Sequence, residues 1–118
     1  MATIMTCINE ISAPVLHRDN VAAADAGNPA DDSDAIDCDG YSAVRLDCNL
    51  TGTSPTATIQ EIYWNSTLSA WCEDSECNLI GTKGHAVFIK PYGGKMYIKI
   101  TALGGTSPHL TIYVSKVK

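Results

Sequence analysis

Tyr41-Ser42-Ala43-Val44-Arg45-Leu46-Asp47-Cys48-Asn49-Leu50-Thr51 is the stretch on which the fold class turns. Val44, Leu46, Cys48 and Leu50 alternate with Ala43, Arg45, Asp47 and Asn49. Successive side chains of a strand leave on opposite faces, so this period of two predicts an antiparallel strand with one face buried and one solvated. Gly52-Thr53-Ser54-Pro55 follows and reads as a turn, because Gly admits unusual dihedrals and Pro cannot donate to a ladder.

Working outward, further strands are predicted over 56–64, 86–90, 96–102 and 110–114. Ile98, Ile100 and Ala102 form one face of 96–102, and Tyr97, Lys99 and Thr101 the other. Pro91 ends the third segment, and Tyr92-Gly93-Gly94-Lys95 predicts a tight turn into the next. The tetrapeptide of the first turn recurs as Gly105-Thr106-Ser107-Pro108, and Thr58-Ile59 after the first copy matches Thr111-Ile112 after the second. The reading is two similar strand–turn–strand hairpins in one sandwich, since two copies are too few for a solenoid. Helical signal is weak: Val21 to Ala26 is Ala-rich but is stopped by Gly27, Asn28 and Pro29. The expected fold is all-β, an antiparallel sandwich or jelly-roll-like domain over 31–118, with residues 1–30 as an extended N-terminal arm.

At 118 residues the chain fits one domain, and its 45% hydrophobic content is that of a globular protein. No run reaches the ~18 apolar residues of a membrane-spanning helix, so no membrane role is expected. The first fifteen residues lack the basic start and continuous apolar core of a signal peptide, so synthesis in the cytoplasm is expected. The net charge of −5 hides a split along the chain. Residues 1–40 carry eight acids and one base, Arg18, whereas residues 81–118 carry six lysines and no acid. Overall acidity argues against nucleic-acid binding. The split suggests acids of the first part facing lysines of the last, within the fold or between subunits.

Motifs for catalysis are missing. His17, His85 and His109 stand in no recognised signature, and there is no G-x-S-x-G, H-E-x-x-H or phosphate-binding loop. Neither an enzymatic activity nor a cofactor is expected. The acidic run Asp31, Asp32, Asp34, Asp37, Asp39 before Gly40 fails the calcium-loop test, with Ala35 and Leu46 where ligands should stand. The five cysteines, Cys7, Cys38, Cys48, Cys72 and Cys77, read as reduced, small buried hydrophobes. Cys72 and Cys77, with four residues between them, are the candidate disulfide, but two thiolates fall short of a zinc site. Trp64 and Trp71 are expected in the core, with sugar stacking on an exposed Trp71 as the alternative. Tyr97, Lys99 and Tyr113 form the candidate contact face, and Ile4, Ile8, Ile11, Val15 and Leu16 of the arm are candidates for burial on a neighbour.

Ser33-Asp34-Ala35-Ile36-Asp37, Gly40-Tyr41, the alternating strand into Gly52-Thr53, Trp64, Trp71, Tyr97-Ile98-Lys99-Ile100-Thr101 and the second Gly105-Thr106-Ser107-Pro108 together resemble small virion proteins of tailed bacteriophages. The resemblance spans about two-thirds of the chain and carries no catalytic residue. It implies a β-sandwich on the virion, of the capsid decoration (cement) type. Such a protein is expected to be a homotrimer on the capsid surface that binds the major capsid protein and adds many weak contacts by symmetry. A tail or neck adaptor and a carbohydrate-binding β-sandwich module are the alternatives.

Overall fold

The structure is a computed structural model and describes residues 11–27, 35–90 and 94–118. Among them there is no helix. The strands are β1 (Val15–Val21), β2 (Ile36–Asp37), β3 (Ala43–Asn65), β4 (Ala70–Ile80), β5 (Gly84–Ile89) and β6 (Lys95–Val117). All pairings are antiparallel. The all-β expectation therefore holds.

Two strands of 23 residues, β3 and β6, dominate the architecture. They pair with each other from Ala43↔Val117 to Tyr63↔Met96. A strand this long stays in a compact domain only by bending, and both bend at the same place. The register shifts between Thr51 and Thr56 on β3, opposite His109 and Gly104 on β6. The two Gly-Thr-Ser-Pro copies lie there, centred on the pair Thr53↔Thr106.

The copies are thus not hairpin turns. Each is a kink inside a continuous strand, and the repeat is a matched pair of kinks lying against one another. Gly52 and Gly105 have φ of 121° and 100°, and Ser54 and Ser107 have φ of 48° and 50°. The packing is reciprocal. A Cβ on Gly52 would stand 2.8 Å from the Thr106 carbonyl oxygen, and one on Gly105 would stand 2.7 Å from that of Ser54. Only glycine lets two backbones approach so closely in that conformation.

Past the kink, each long strand enters the opposite layer. The inward residues before it (Val44, Leu46, Cys48, Leu50) and after it (Ala57, Ile59) join Met96, Ile98, Ile100, Leu110, Ile112 and Val114 in one core. One layer is β5, the first half of β3, the second half of β6, and β1. The other is β2, the first half of β6, the second half of β3, and β4. The chain is therefore two copies of one three-strand unit, β1-β2-β3 and β4-β5-β6. The two short strands of each unit pair with the long strand of the other.

One expected pairing is also corrected. The segments 86–90 and 96–102 do not form a hairpin, because β5 pairs with β3. Residues 91–93 of the turn predicted between them lie outside the described residues. The segment 70–80, for which no strand is predicted, is strand β4, joined to β3 by a turn in which Leu68 N donates to Asn65 Oδ1 at 3.1 Å. Within the segment read as an arm, β1 is an edge strand on β6, and Asp25 bridges to Ile100. His17 and Arg18 fill the gap along that edge of β6. His17 Nε2 accepts from Ile98 N at 3.1 Å, and the buried Arg18 donates to the Ile98 carbonyl at 2.8 Å.

The kink contact sets a stability prediction. Gly52→Ala and Gly105→Ala each combine an unfavourable φ with a backbone clash, and each should lower unfolding free energy by about 2–4 kcal/mol. Gly40, with φ of 81° and open space around it, supplies the control. Gly40→Ala should cost only the dihedral term, about 1 kcal/mol. Urea unfolding of the three variants measures the difference, and equal losses would contradict the clash.

A buried carboxylate at the β4–β5 flank

Glu61 continues the inward parity of Ala57 and Ile59 on β3 and pairs across the sheet with the fully buried Ile98. Its side chain therefore points between the layers, and it is only 8% exposed. Its Oε1 is buried and has no hydrogen-bond partner among the described residues. A carboxylate in that state loses hydration without gaining hydrogen bonds in return.

The neighbouring strand is shaped around it. Gln60 pairs with Glu76 and Ile62 with Glu73, so Asp74 and Ser75 stand opposite Glu61 alone. This is a β-bulge, which breaks the ladder locally and turns the strand away. Gln60 Nε2 donates to the Asp74 carbonyl at 2.8 Å, and the Ser75 backbone N donates to Asp74 Oδ1 at 2.7 Å. The bulge opens a cavity of about 340 Å³ between β4 and β5. Glu61, Ile59 and Ile98 line its β3–β6 side, Asp74 and Glu76 one wall, and Val87, Phe88, Ile89 and Lys90 the other. Phe88, which pairs with the outward Arg45, is 66% exposed.

Burial pushes the Glu61 carboxyl up to about 7 from an ordinary 4.5, and the negative charge of Asp74 adds to the rise. The group thus changes charge near neutrality. Burial likewise raises the thiols of Cys38 to about 11 and Cys48 to about 12, which keeps both protonated and unreactive.

The residues singled out in the sequence fall elsewhere. Cys72 and Cys77 are free thiols on β4. Five residues of extended strand hold their Cα atoms roughly 13–16 Å apart, beyond the ~7 Å reach of a disulfide. Tyr97 is 6% exposed, not an outward contact residue. It packs edge-on to Trp71 at 5.1 Å, and Trp71 packs on Trp64 at 5.4 Å. The two tryptophans are outside the core cluster, contrary to expectation, and Trp64 is 37% exposed. Tyr113 is exposed but lies beyond the β6 kink from Tyr97, so the two tyrosines belong to different layers. Lys99 is half-buried and stands 3.8 Å from Glu73.

Ile11, Val15 and Leu16 are exposed, while Ile4 and Ile8 lie outside the described residues. Of the acidic run, Asp31, Asp32 and Asp34 also lie outside them. Asp37 and Asp39 serve a local turn by accepting from the backbone N of Asp39 and of Gly94. Among the described residues no group of three His, Cys, Asp or Glu side chains is placed to hold a metal ion. Lys116 Nζ donates to the Asp37 backbone carbonyl at 3.0 Å, a contact with the main chain and not with a carboxylate.

No protein-family model matches the sequence, and no curated protein matches it. Among solved structures, the SPBc2 prophage-derived protein YomS has a similar fold, with a TM-score of 0.58 at 8% identity. The match covers 98% of this chain and 100% of that one.

The buried carboxyl has a pH signature. A raised folded-state value means the folded protein holds this proton more tightly than the unfolded chain. Stability from this group is therefore full below about pH 4.5 and declines as pH rises to about 7, by at most about 3 kcal/mol. Glu61→Gln should remove that slope and unfold at higher urea than the wild type at pH 8. Urea unfolding of both proteins at pH 5 and pH 8 checks it, and identical pH slopes would contradict the assignment.

Proposed function

We propose that this chain is a bacteriophage virion structural protein, of the capsid decoration type. It binds major capsid subunits on the head surface as a homotrimer. The observation that carries the reading is the fold it shares, along almost its whole length, with a prophage-derived protein. Two features of the surface support an assembling role. Ile11, Val15 and Leu16 present apolar side chains along the β1 edge, at 46%, 65% and 45% exposure. The β4 edge carries Glu73, Asp74 and Glu76 around its bulge, which discourages non-specific pairing of sheet edges. Association is thereby directed to chosen surfaces, and symmetry multiplies contacts that are weak one at a time.

A tail or neck adaptor would use the same sandwich in a ring, and location separates the two. The edge-to-face packing of Trp64, Trp71 and Tyr97 is that of a structural cluster, not of the flat platform on which a sugar ring stacks.

The test is reconstruction of purified virions by cryo-electron microscopy, together with addition of the protein to empty capsids. Density at local three-fold positions of the head and a trimer mass in solution are expected. Leu16→Asp should abolish addition to capsids while changing unfolding free energy by no more than about 0.5 kcal/mol. Density confined to the neck or tail would move the role to an adaptor. A monomer that never adds to capsids would overturn the proposal.

A further inference from the structure

The three-strand repeat supplies an internal control for Glu61. Glu61 stands as far beyond Gly52 as Val114 stands beyond Gly105, and the two occupy equivalent positions of the two units. The neighbouring pairs agree: Ala57 and Ile59 correspond to Leu110 and Ile112, all buried in the core. Val114 is 5% exposed and simply packs. At this position the fold is therefore satisfied by an apolar side chain. In the first unit it carries a carboxylate instead, with a buried oxygen that nothing in the described chain pairs. The fold gives no reason for that charge, and its desolvation is unfavourable.

The surroundings indicate what would pair it. Apolar walls from Ile59, Val87 and Ile89 lead down to one buried carboxylate, with Asp74 and Glu76 on one side, and the exposed Lys90, which also lines the cavity, leaves the Glu61 Oε1 unpaired. A divalent metal needs several oxygens at once. A long alkyl chain ending in a cation matches the gradient, because its stem lies on apolar surface and its head meets charge.

We propose that the cavity between β4 and β5 is a socket for a lysine or arginine side chain presented by a partner chain, with Glu61 as its counter-charge. A single anchoring side chain seated in a desolvated pocket is how protein interfaces concentrate binding energy. The pairing removes the unsatisfied oxygen, so the partner's cation gains an interaction that water-exposed acids elsewhere on the surface do not offer. The socket stands independently of the virion role.

The test is an NMR titration of the full chain with three capped amino acids: N-acetyl-lysine methylamide, its arginine counterpart, and the neutral norleucine counterpart. Saturable shifts centred on Glu61, Asp74 and Phe88 are expected with the cationic probes, and binding about tenfold or more weaker with norleucine. Glu61→Gln should weaken the cationic probes to the norleucine level. Glu61→Val, which copies the second unit, should do the same with the fold intact. Val87→Ala, on the apolar wall, gives a second readout by weakening all three probes. Equal binding of norleucine, undiminished binding to Glu61→Gln, or no saturable shift with either cationic probe at tens of millimolar would overturn the proposal.

Discussion

Everything in this fold depends on one close approach, that of the two Gly-Thr-Ser-Pro backbones at the centre of β3 and β6. Gly52 lies on the Thr106 and Ser107 carbonyls, and Gly105 on those of Thr53 and Ser54. The mutual contact lets both long strands bend together, so that one sheet becomes two layers without either strand being cut. Pro55 is fully buried at the bend, and its carbonyl accepts from Gly81 N at 3.0 Å. That bond ties the kink to the connection that carries the chain from β4 in one layer to β5 in the other. Pro cannot serve inside a regular ladder, so the irregular register is the place in the strand that accommodates it.

The consequence is an interlocked chain. β1 and β2 have partners on β6, and β4 and β5 on β3. No unit can cover its own long strand, and each layer contains strands from both. Contacts of this kind join residues far apart in sequence, a topology that folds slowly and as a whole. Repetition also makes the differences between units informative. A valine in one copy and an unpaired glutamate in the other, at the same place in the fold, separate what the architecture needs from what is added to it.

Much of the fold was legible in the alternation of 43–50 and 96–100, whose inward residues form the core. The tetrapeptide repeat was also visible, but its meaning was not. Glycine and proline mark a chain reversal when they stand alone, and only a second copy packed against the first turns the same residues into a bend. β4 escaped notice because an edge strand facing water needs no apolar alternation, and Glu73, Asp74 and Glu76 interrupt any apolar period. Tyr97 follows the outward parity of its strand, yet Arg18, Gly27 and Trp71 cover it, and local periodicity cannot report a cover from elsewhere in the chain. Glu61 did leave a signal. It stands at an inward position in a predicted strand, after Ala57 and Ile59, where a carboxylate is out of place.

The interlocking of the two units is the central claim, and native-state amide hydrogen exchange tests it most directly. If each unit's long strand is held by the other's short strands, the core amides of β3 and β6 should exchange only through global unfolding. Ile59, Ile98, Ile112 and Leu46 should then share one opening free energy and one denaturant dependence, whichever layer they occupy. A layer whose core amides exchange at markedly lower free energy, while the other stays protected, would show that the layers open separately and would contradict the interlocked account.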